Sequence, residues 1–262
     1  MSDDGFLFDD SAGTPSDLWT QEHADRYDDP DSPMFAPELL ERTTSFLAQR
    51  ADGGAALEFA IGTGRVGIPL RERGVPVSGI EFSAPMAARL REKDDRIPVV
   101  IGDMSSARAE GAFSLVYLVF NTIGNLWTQD AQVACFRNAA RHLVAGGRFV
   151  IEVGVPSVRS MPPGQSAVPF DISTDHLGFD EYDLVTQRAV SHHYSRGADG
   201  AFHHHPHHYR YVWPSELDLM ARLAGLDLEE RCADWTGAPF TAESTSHVSV
   251  WRKPEDGPSA DG

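Results

Sequence analysis

Leu57-Glu58-Phe59-Ala60-Ile61-Gly62-Thr63-Gly64-Arg65-Val66-Gly67-Ile68-Pro69-Leu70, or LEFAIGTGRVGIPL, is the stretch on which the reading of this chain turns. An apolar run carrying one acid leads into a glycine-rich turn and then a helix-compatible segment. Gly62 and Gly64 have no side chain, so the backbone there can turn sharply and come close to a ligand. The helix that follows points its unpaired N–H groups back at that ligand. Gly62-x-Gly64-x-x-Gly67 formally matches a dinucleotide fingerprint, which expects an acid about 20 residues on for a ribose hydroxyl pair. The next strand-end acid is Glu81, only 14 residues after Gly67.

The chain downstream repeats the strand-then-helix pattern. Pro76–Ile80 reads as a second strand ending in Glu81 and Phe82, and Ser83 caps a helix over 84–93. Ile97–Ile101 is a short third strand followed by Gly102-Asp103-Met104. Phe113–Phe120 is a continuous apolar run, as expected of a strand covered on both faces. A helix over 129–142 leads through Ala145-Gly146-Gly147 into a fifth strand, Arg148–Val153. Five alternations with acids at the strand ends predict an α/β, doubly wound Rossmann-like mixed sheet, with ligands beyond the strand C-termini.

Read from Glu58, the motif Glu58-x-Ala60-x-Gly62-x-Gly64 resembles the first motif of class I S-adenosylmethionine (SAM) methyltransferases, with Ala60 in place of a glycine. Gly102-Asp103 resembles the same family's adenine-reading motif, and Leu143-x-x-Gly146-Gly147-x-Phe149-x-x-Glu152 is a further shared feature. Ser114 stands where that family usually carries Asp. The resemblance covers about residues 16–156 and implies SAM as cofactor. The cofactor set it implies is Tyr27, Glu58, Ala60, Gly62, Gly64, Glu81, Phe82, Met86, Gly102, Asp103, Met104 and Val119. In this set Glu81 accepts from the ribose hydroxyls, Phe82 covers the adenine and Asp103 takes its amino group, since a carboxylate suits an N–H donor. A NAD-dependent oxidoreductase and a non-catalytic SAM-binding module are the alternatives.

The flanks complete the organisation. Residues 1–15 read as a disordered acidic tail, and 16–50 as a helical lid with Ser16 as N-cap. Tyr27 in that lid either lies over the SAM methyl, as in small-molecule methyltransferases, or simply packs its helix face. The SAM-binding core spans 51–156. Residues 157–213 read as an antiparallel β insertion capping the active site, with strands at Val168–Ser173, His176–Asp180, Tyr182–Arg196 and Ala201–Trp213 and a hairpin turn at 197–200. A helix opened by Pro214 and two strands, Leu226–Trp235 and Ser246–Arg252, fill 214–253, and 254–262 reads as a disordered tail.

Seven of the eleven histidines fall in 192–208. The turn at 197–200 would set His193 opposite His204 and His192 opposite His205. A solvated polar strand, a pocket-facing histidine and a Zn²⁺ site are the three readings, and the lack of a nearby cysteine or obvious carboxylate weighs against the metal. No metal is expected.

The string Val119–Leu126 resembles the loop after the fourth strand of aminosugar N,N-dimethyltransferases, in which a histidine base stands where Asn125 stands here. Asn125 cannot remove a proton from an ammonium. The expectation is therefore an uncharged aromatic acceptor, indole-like, with an aminosugar nitrogen as the alternative. Tyr27, Glu152 and His192 are the catalytic candidates, Glu152 being either a proton acceptor or a structural acid bonded to loop backbone. Trp19, Asn121, Asn125, Trp127, His205 and Tyr209 are the acceptor-site candidates.

A formal net charge of −17 argues against nucleic acid as substrate. Two widely spaced cysteines imply no disulfide framework, and no apolar run is long enough to span a membrane. A soluble cytoplasmic enzyme acting on a small molecule is the expectation, with homodimerisation left open.

Overall fold

The computed structural model describes residues 20–30 and 32–255. The expected tails, the Ser16 cap and Trp19 lie largely or wholly outside these residues.

Strand β1 (Ala56–Phe59) is followed by α3 (Gly67–Glu72), β2 (Val77–Glu81), α4 (Ala84–Lys93), β3 (Val99–Ile101), β4 (Phe113–Leu118), α5 (Gln129–His142) and β5 (Leu143–Gly154). Ahead of them lie α1 (Gln21–Tyr27) and α2 (Pro37–Ala51), and behind them α6 (Pro214–Leu223), β10 (Asp227–Cys232) and β11 (Ser246–Arg252). The seven strands form one sheet in the order β10-β11-β5-β4-β1-β2-β3. β1 through β5 pair in parallel, while β11 runs antiparallel to β5 and carries β10 at the edge. The direction of the chain reverses beside β1, where β1 pairs with β2 on one side and β4 on the other. Ligands of open α/β sheets sit at that switch point.

Alternation along the strands loads both faces. Leu57, Phe59, Val116, Leu118, Phe149 and Ile151 pack with Phe136, Leu217 and Met220 from α5 and α6 on one side. Ala56, Val77, Leu115, Tyr117 and Val150 pack with Phe46, Leu47, Leu70 and Leu90 on the other. Each such side chain, fully buried, contributes about 1.5–3 kcal/mol. Ser83 accepts from Met86 N–H at 3.3 Å and Thr128 from Ala131 N–H at 3.1 Å, so α4 and α5 start where a capping hydroxyl supplies the partner.

A second sheet of four antiparallel strands holds β6 (Ala167–Ile172), β7 (His176–Tyr182), β8 (Arg188–Arg196) and β9 (Phe202–Arg210) in that order. Two strand expectations were too long. The run Tyr182–Arg196 breaks at 183–187, where Asp183 N–H donates to the Arg188 carbonyl at 2.8 Å and Gln187 takes φ 58°. The strand expected over 201–213 ends at Arg210, which turns inward to pair with Glu216 at 2.7 Å and Gln132 at 2.5 Å.

The hairpin also differs in register. Gly197 N–H bonds to the Ala201 carbonyl at 2.8 Å, leaving a three-residue loop closed by Gly200 at φ 80°. A type I turn followed by a left-handed glycine makes such a loop. His193 therefore faces His205, and His192 faces Pro206. The small sheet is docked over the C-terminal ends of β4 and β5. Trp127 Nε1–H donates to the His208 carbonyl at 3.1 Å, and the Gly124 backbone lies against Tyr209.

Candidate active site

A cavity of about 280 Å³ opens at the switch point, lined among others by Tyr27, Ala60, Gly62, Ile80, Glu81, Phe82, Met86, Gly102, Asp103, Met104, Asn125 and Leu126. Its floor is the turn after β1. Gly62 sits at φ 59°, in the left-handed region, and a Cβ there would enter the cavity toward the Met86 methyl at 3.5 Å. Ala60 holds φ 52° with a side chain in place, a strain of about 1 kcal/mol that a glycine would not bear.

Glu81 is nearly fully buried at the end of β2. Its Oε2 accepts from Gly62 N–H and its Oε1 from Ser83 N–H, both at 2.7 Å. Phe82 N–H adds a third bond, and a lone pair remains for a hydroxyl. Burial raises the Glu81 carboxyl above its ordinary range, and the backbone bonds pull the other way. Asp103 is oriented by Ser105 N–H at 2.6 Å. Apolar rings and thioethers beside two acids, over a turn with no side chain, fit an adenosine and a sulfonium-bearing tail.

Three residues of the expected cofactor set lie elsewhere. Glu58 is buried behind the turn, where the Tyr117 hydroxyl donates to its Oε2 at 2.9 Å, and burial pushes its carboxyl up to about 8. Gly64 is kept small by Ile68, 2.9 Å from where a Cβ would stand. Val119 is a core side chain, and its carbonyl accepts from Thr122 at 2.7 Å.

A second cavity, of about 620 Å³, adjoins the first. Tyr27, Thr122 and Asn125 line both, so Tyr27 stands at the boundary. Burial pushes the Tyr27 phenol above its usual range, opposed by the Arg65 guanidinium bonded to it. One wall of this cavity is the loop after β4, with Phe120 and Asn121, together with Gly154 at the end of β5. The other is one face of the four-stranded sheet.

On that sheet the register lines side chains up in rows. Tyr182, Ala189 and Tyr209 form one row, Asp180, Ser191 and His207 the next, and Gly178, His193 and His205 the third. Asp180, Tyr182, Ser191, His193, His207 and Tyr209 all line the cavity. The Tyr182 hydroxyl donates to Asp180 Oδ2 at 3.2 Å, and Tyr209 is hydrogen-bonded into the same pair. Burial, with the Asp180 charge beside it, holds the Tyr209 phenol protonated. Burial lowers His193, reinforced by His176, and pushes His207 down to about 4. Both imidazoles are therefore neutral near pH 7, and a pKa of about 4 makes His207 a poor proton acceptor.

The catalytic and acceptor candidates are redistributed accordingly. Glu152 lines neither cavity. Its Oε2 accepts from Phe120 N–H at 2.9 Å and its Oε1 from Trp235 Nε1–H at 2.8 Å, so it fastens the loop. That loop needs fastening, because Phe120 and Asn121 both sit at positive φ, 57° and 60°. Asn121 lines the cavity and also accepts from Gly154 N–H at 2.6 Å.

His192 is on the opposite face, stacked on Phe179 at 4.7 Å and bonded to His204 at 2.9 Å. His205 is exposed and outside the cavity lining, and Trp127 is a brace for the sheet. Tyr209 and Asn125 are in the lining. Asp180 and Ser191 were not singled out, and which histidines of the 192–208 cluster face the pocket, His193 and His207, was left open. The signal was present as alternate positions on two strands, and it needed the correct hairpin register to be read. Among the described residues no group of three His, Cys, Asp or Glu side chains is arranged to hold a metal ion.

Residues 56–147 match the methyltransferase domain family. The solved CcbJ methyltransferase of Streptomyces caelestis is 34% identical, with a TM-score of 0.79 over 92% of this chain and 98% of its own. The cypemycin N-terminal methyltransferase of a Streptomyces species is 28% identical over 208 residues, 76% of this chain and 83% of its own. A dTDP-4-amino-2,3,4,6-tetradeoxy-D-glucose N,N-dimethyltransferase of Saccharopolyspora spinosa is 28% identical over 146 residues, 55% and 59% of the two chains. The chain belongs to the class I SAM-dependent methyltransferases. SAM is its cofactor, and the cavity over Gly62 and beside Glu81 has the residues to hold it.

Proposed function

We propose that this SAM-dependent methyltransferase of natural-product pathways methylates a basic amine nitrogen on a small acceptor held between the two sheets. The observation that carries the reading is a pair of adjacent rows on the small sheet, where the carboxylate of Asp180 stands on the cavity wall beside the neutral imidazole of His193. An ammonium needs two things before it can attack, an anion to hold it and a base to take its proton. Asp180 serves the first purpose and the neutral imidazole of His193, with a lone pair on one ring nitrogen, the second. This replaces the expectation of an uncharged, indole-like acceptor. That expectation followed from Asn125, which cannot act as a base, but a base on the facing sheet removes the need for one at that position.

SAM supplies the methyl group as a sulfonium. For the chain the task is to hold the acceptor nitrogen in line, beside Tyr27, with its lone pair free. The net charge of −17 favours approach of cationic acceptors and of SAM itself. The two curated relatives act, by their names, on a peptide N-terminus and on an aminosugar, and both acceptor groups are amines.

A product-mass screen with isotopically labelled SAM tests the reading, using aminosugars, peptide N-termini, indoles and phenols. Methylation of amines is expected. Label found only on ring carbons, ring nitrogens or phenols would return the site to the aromatic reading. Asp180→Asn should raise KM for an amine about tenfold or more, with little change in SAM affinity, because it removes the anion and keeps the shape.

A further inference from the structure

One chain of hydrogen bonds on the small sheet is not accounted for by acceptor binding. Ser191 Oγ lies 3.1 Å from His193 Nε2, His193 Nδ1 lies 3.1 Å from His176 Nε2, and His176 Nδ1 lies 2.6 Å from Asp171 Oδ2. Ser191 and His193 line the acceptor cavity. His176 is outside that lining, and the Asp171 carboxylate is half exposed on the edge strand β6. The chain therefore runs across three strands from the cavity to water.

With both imidazoles neutral, its donors and acceptors run in one direction. Asp171 can only accept, so His176 Nδ1 donates and its Nε2 accepts. His193 Nδ1–H fills that Nε2, which leaves His193 Nε2 to accept from the Ser191 hydroxyl. Every proton points outward, as a stepwise shift requires. Phe170 covers the middle of the chain, its ring 5.2 Å from that of His193 and 6.3 Å from that of His176. It lies there because Gly178 is opposite, and a Cβ on residue 178 would stand 2.2 Å from the Phe170 ring. The other charged or titratable groups on the His193 face are Asp180, His205 and His207, with His192 behind it on the opposite face, all within the small sheet.

We propose that Ser191, His193, His176 and Asp171 form a proton relay that takes the acceptor's proton out of the cavity to solvent. The proposal rests on the amine reading above. The ammonium R–NH3+ gives a proton to Ser191 Oγ as the hydroxyl proton passes to His193 Nε2. The Nδ1 proton of His193 passes to His176 Nε2, and that of His176 to Asp171 and then to water. The freed amine forms its C–N bond as the methyl's C–S bond breaks, and R–NH2+–CH3 and neutral S-adenosylhomocysteine remain. One proton leaves per turnover, so charge balances. His176 and Asp171 touch no substrate and act through Ser191 and His193.

Two measurements test this. Nitrogen-15 NMR of the imidazoles, on the folded protein with S-adenosylhomocysteine, should find both His176 and His193 protonated at Nδ1. The opposite tautomer in either ring overturns the relay, whatever the acceptor. In turnover, His176→Ala should lower kcat at least about tenfold on a high-pKa amine and much less on a low-pKa amine, with KM and SAM affinity within about twofold. Added imidazole should restore part of the lost kcat. Equal losses on both amines, a loss that imidazole does not touch, or no loss at all would each overturn it. If the wild-type enzyme methylates no amine, the proposed function fails, and the relay still stands or falls on the two tautomers.

Discussion

Glu152 shows how a residue's partners decide its role. Its position at the end of a central strand makes it look like a pocket carboxylate, but both oxygens are spoken for by Phe120 N–H and Trp235 Nε1–H. Glu152→Gln turns an NH2 toward one of those donors. We expect a destabilisation of about 1–3 kcal/mol, lowering Tm by about 2–4 °C per kcal/mol in a chain of this size. A fall in kcat with Tm unchanged would restore Glu152 as a proton acceptor. Glu81 has the reverse character. Its oxygens also hold backbone N–H groups, yet it lines the cavity at the switch point with a lone pair to spare. Glu81→Gln should weaken SAM binding by about 1.5–3 kcal/mol, read by calorimetry. Unchanged affinity would mean that the ribose lies elsewhere. The role of Glu152 could not be decided in the sequence, because Trp235 lies 83 positions from it and only the fold brings them together.

At the level of elements, legibility followed sequence distance. The alternation over β1 to β5 was plain because each strand, turn and cap is decided by neighbours within a few residues, as with Ser83 and Thr128. The small sheet was legible as strands and not as faces. A hairpin loop one residue different moves every pairing, and His192 and His193 exchange places between cavity and outer face. Helix α1 shows a third case, in which a local helix gains its position from distant contacts. Asp28, its C-cap, accepts from Thr63 at 2.6 Å in the cofactor turn and from Lys93 at 2.8 Å on α4. These bonds hold Tyr27 over the boundary between the cavities. Asp28→Ala should release that clamp, speeding SAM dissociation by an amount worth about 1–2 kcal/mol. Stopped-flow displacement would read it, and dissociation at the wild-type rate would show that α1 is held by packing alone.

For the molecule as a whole, buried titratable groups set a pH window of stability with two limbs of opposite sign. His207 and His247 are neutral in the fold, both with pKa values pushed by burial down to about 4. Unfolded histidines titrate near 6.5. As pH falls below that value the unfolded chain takes up protons that the folded chain refuses, so the histidines' contribution, complete above 6.5, is lost on the way down to about 4. Glu58 works the other way. Its carboxyl is raised to about 8 by burial, against an unfolded value near 4.3, so the folded chain holds a proton that the unfolded one has released. Its contribution is complete at low pH and is lost as pH climbs toward 8. Between about pH 5 and 6.5 two histidines outweigh one glutamate, and stability rises. Above about 6.5 the histidine slope vanishes while that of Glu58 persists, and stability falls. These three groups place the maximum near pH 6.5; His193, His204, His208 and His142, also lowered, shift it upward, and Glu81, raised by burial like Glu58, pulls it back. Urea unfolding followed from pH 5 to 9 should trace this dome. Glu58→Gln keeps the bond from Tyr117 and cannot ionise, so it should flatten the alkaline limb and leave the acid limb standing. His207→Asn should do the reverse. A wild-type curve that keeps rising past pH 8 would show that Glu58 ionises freely in the fold, and that its place behind the cofactor turn is less dry than its burial implies.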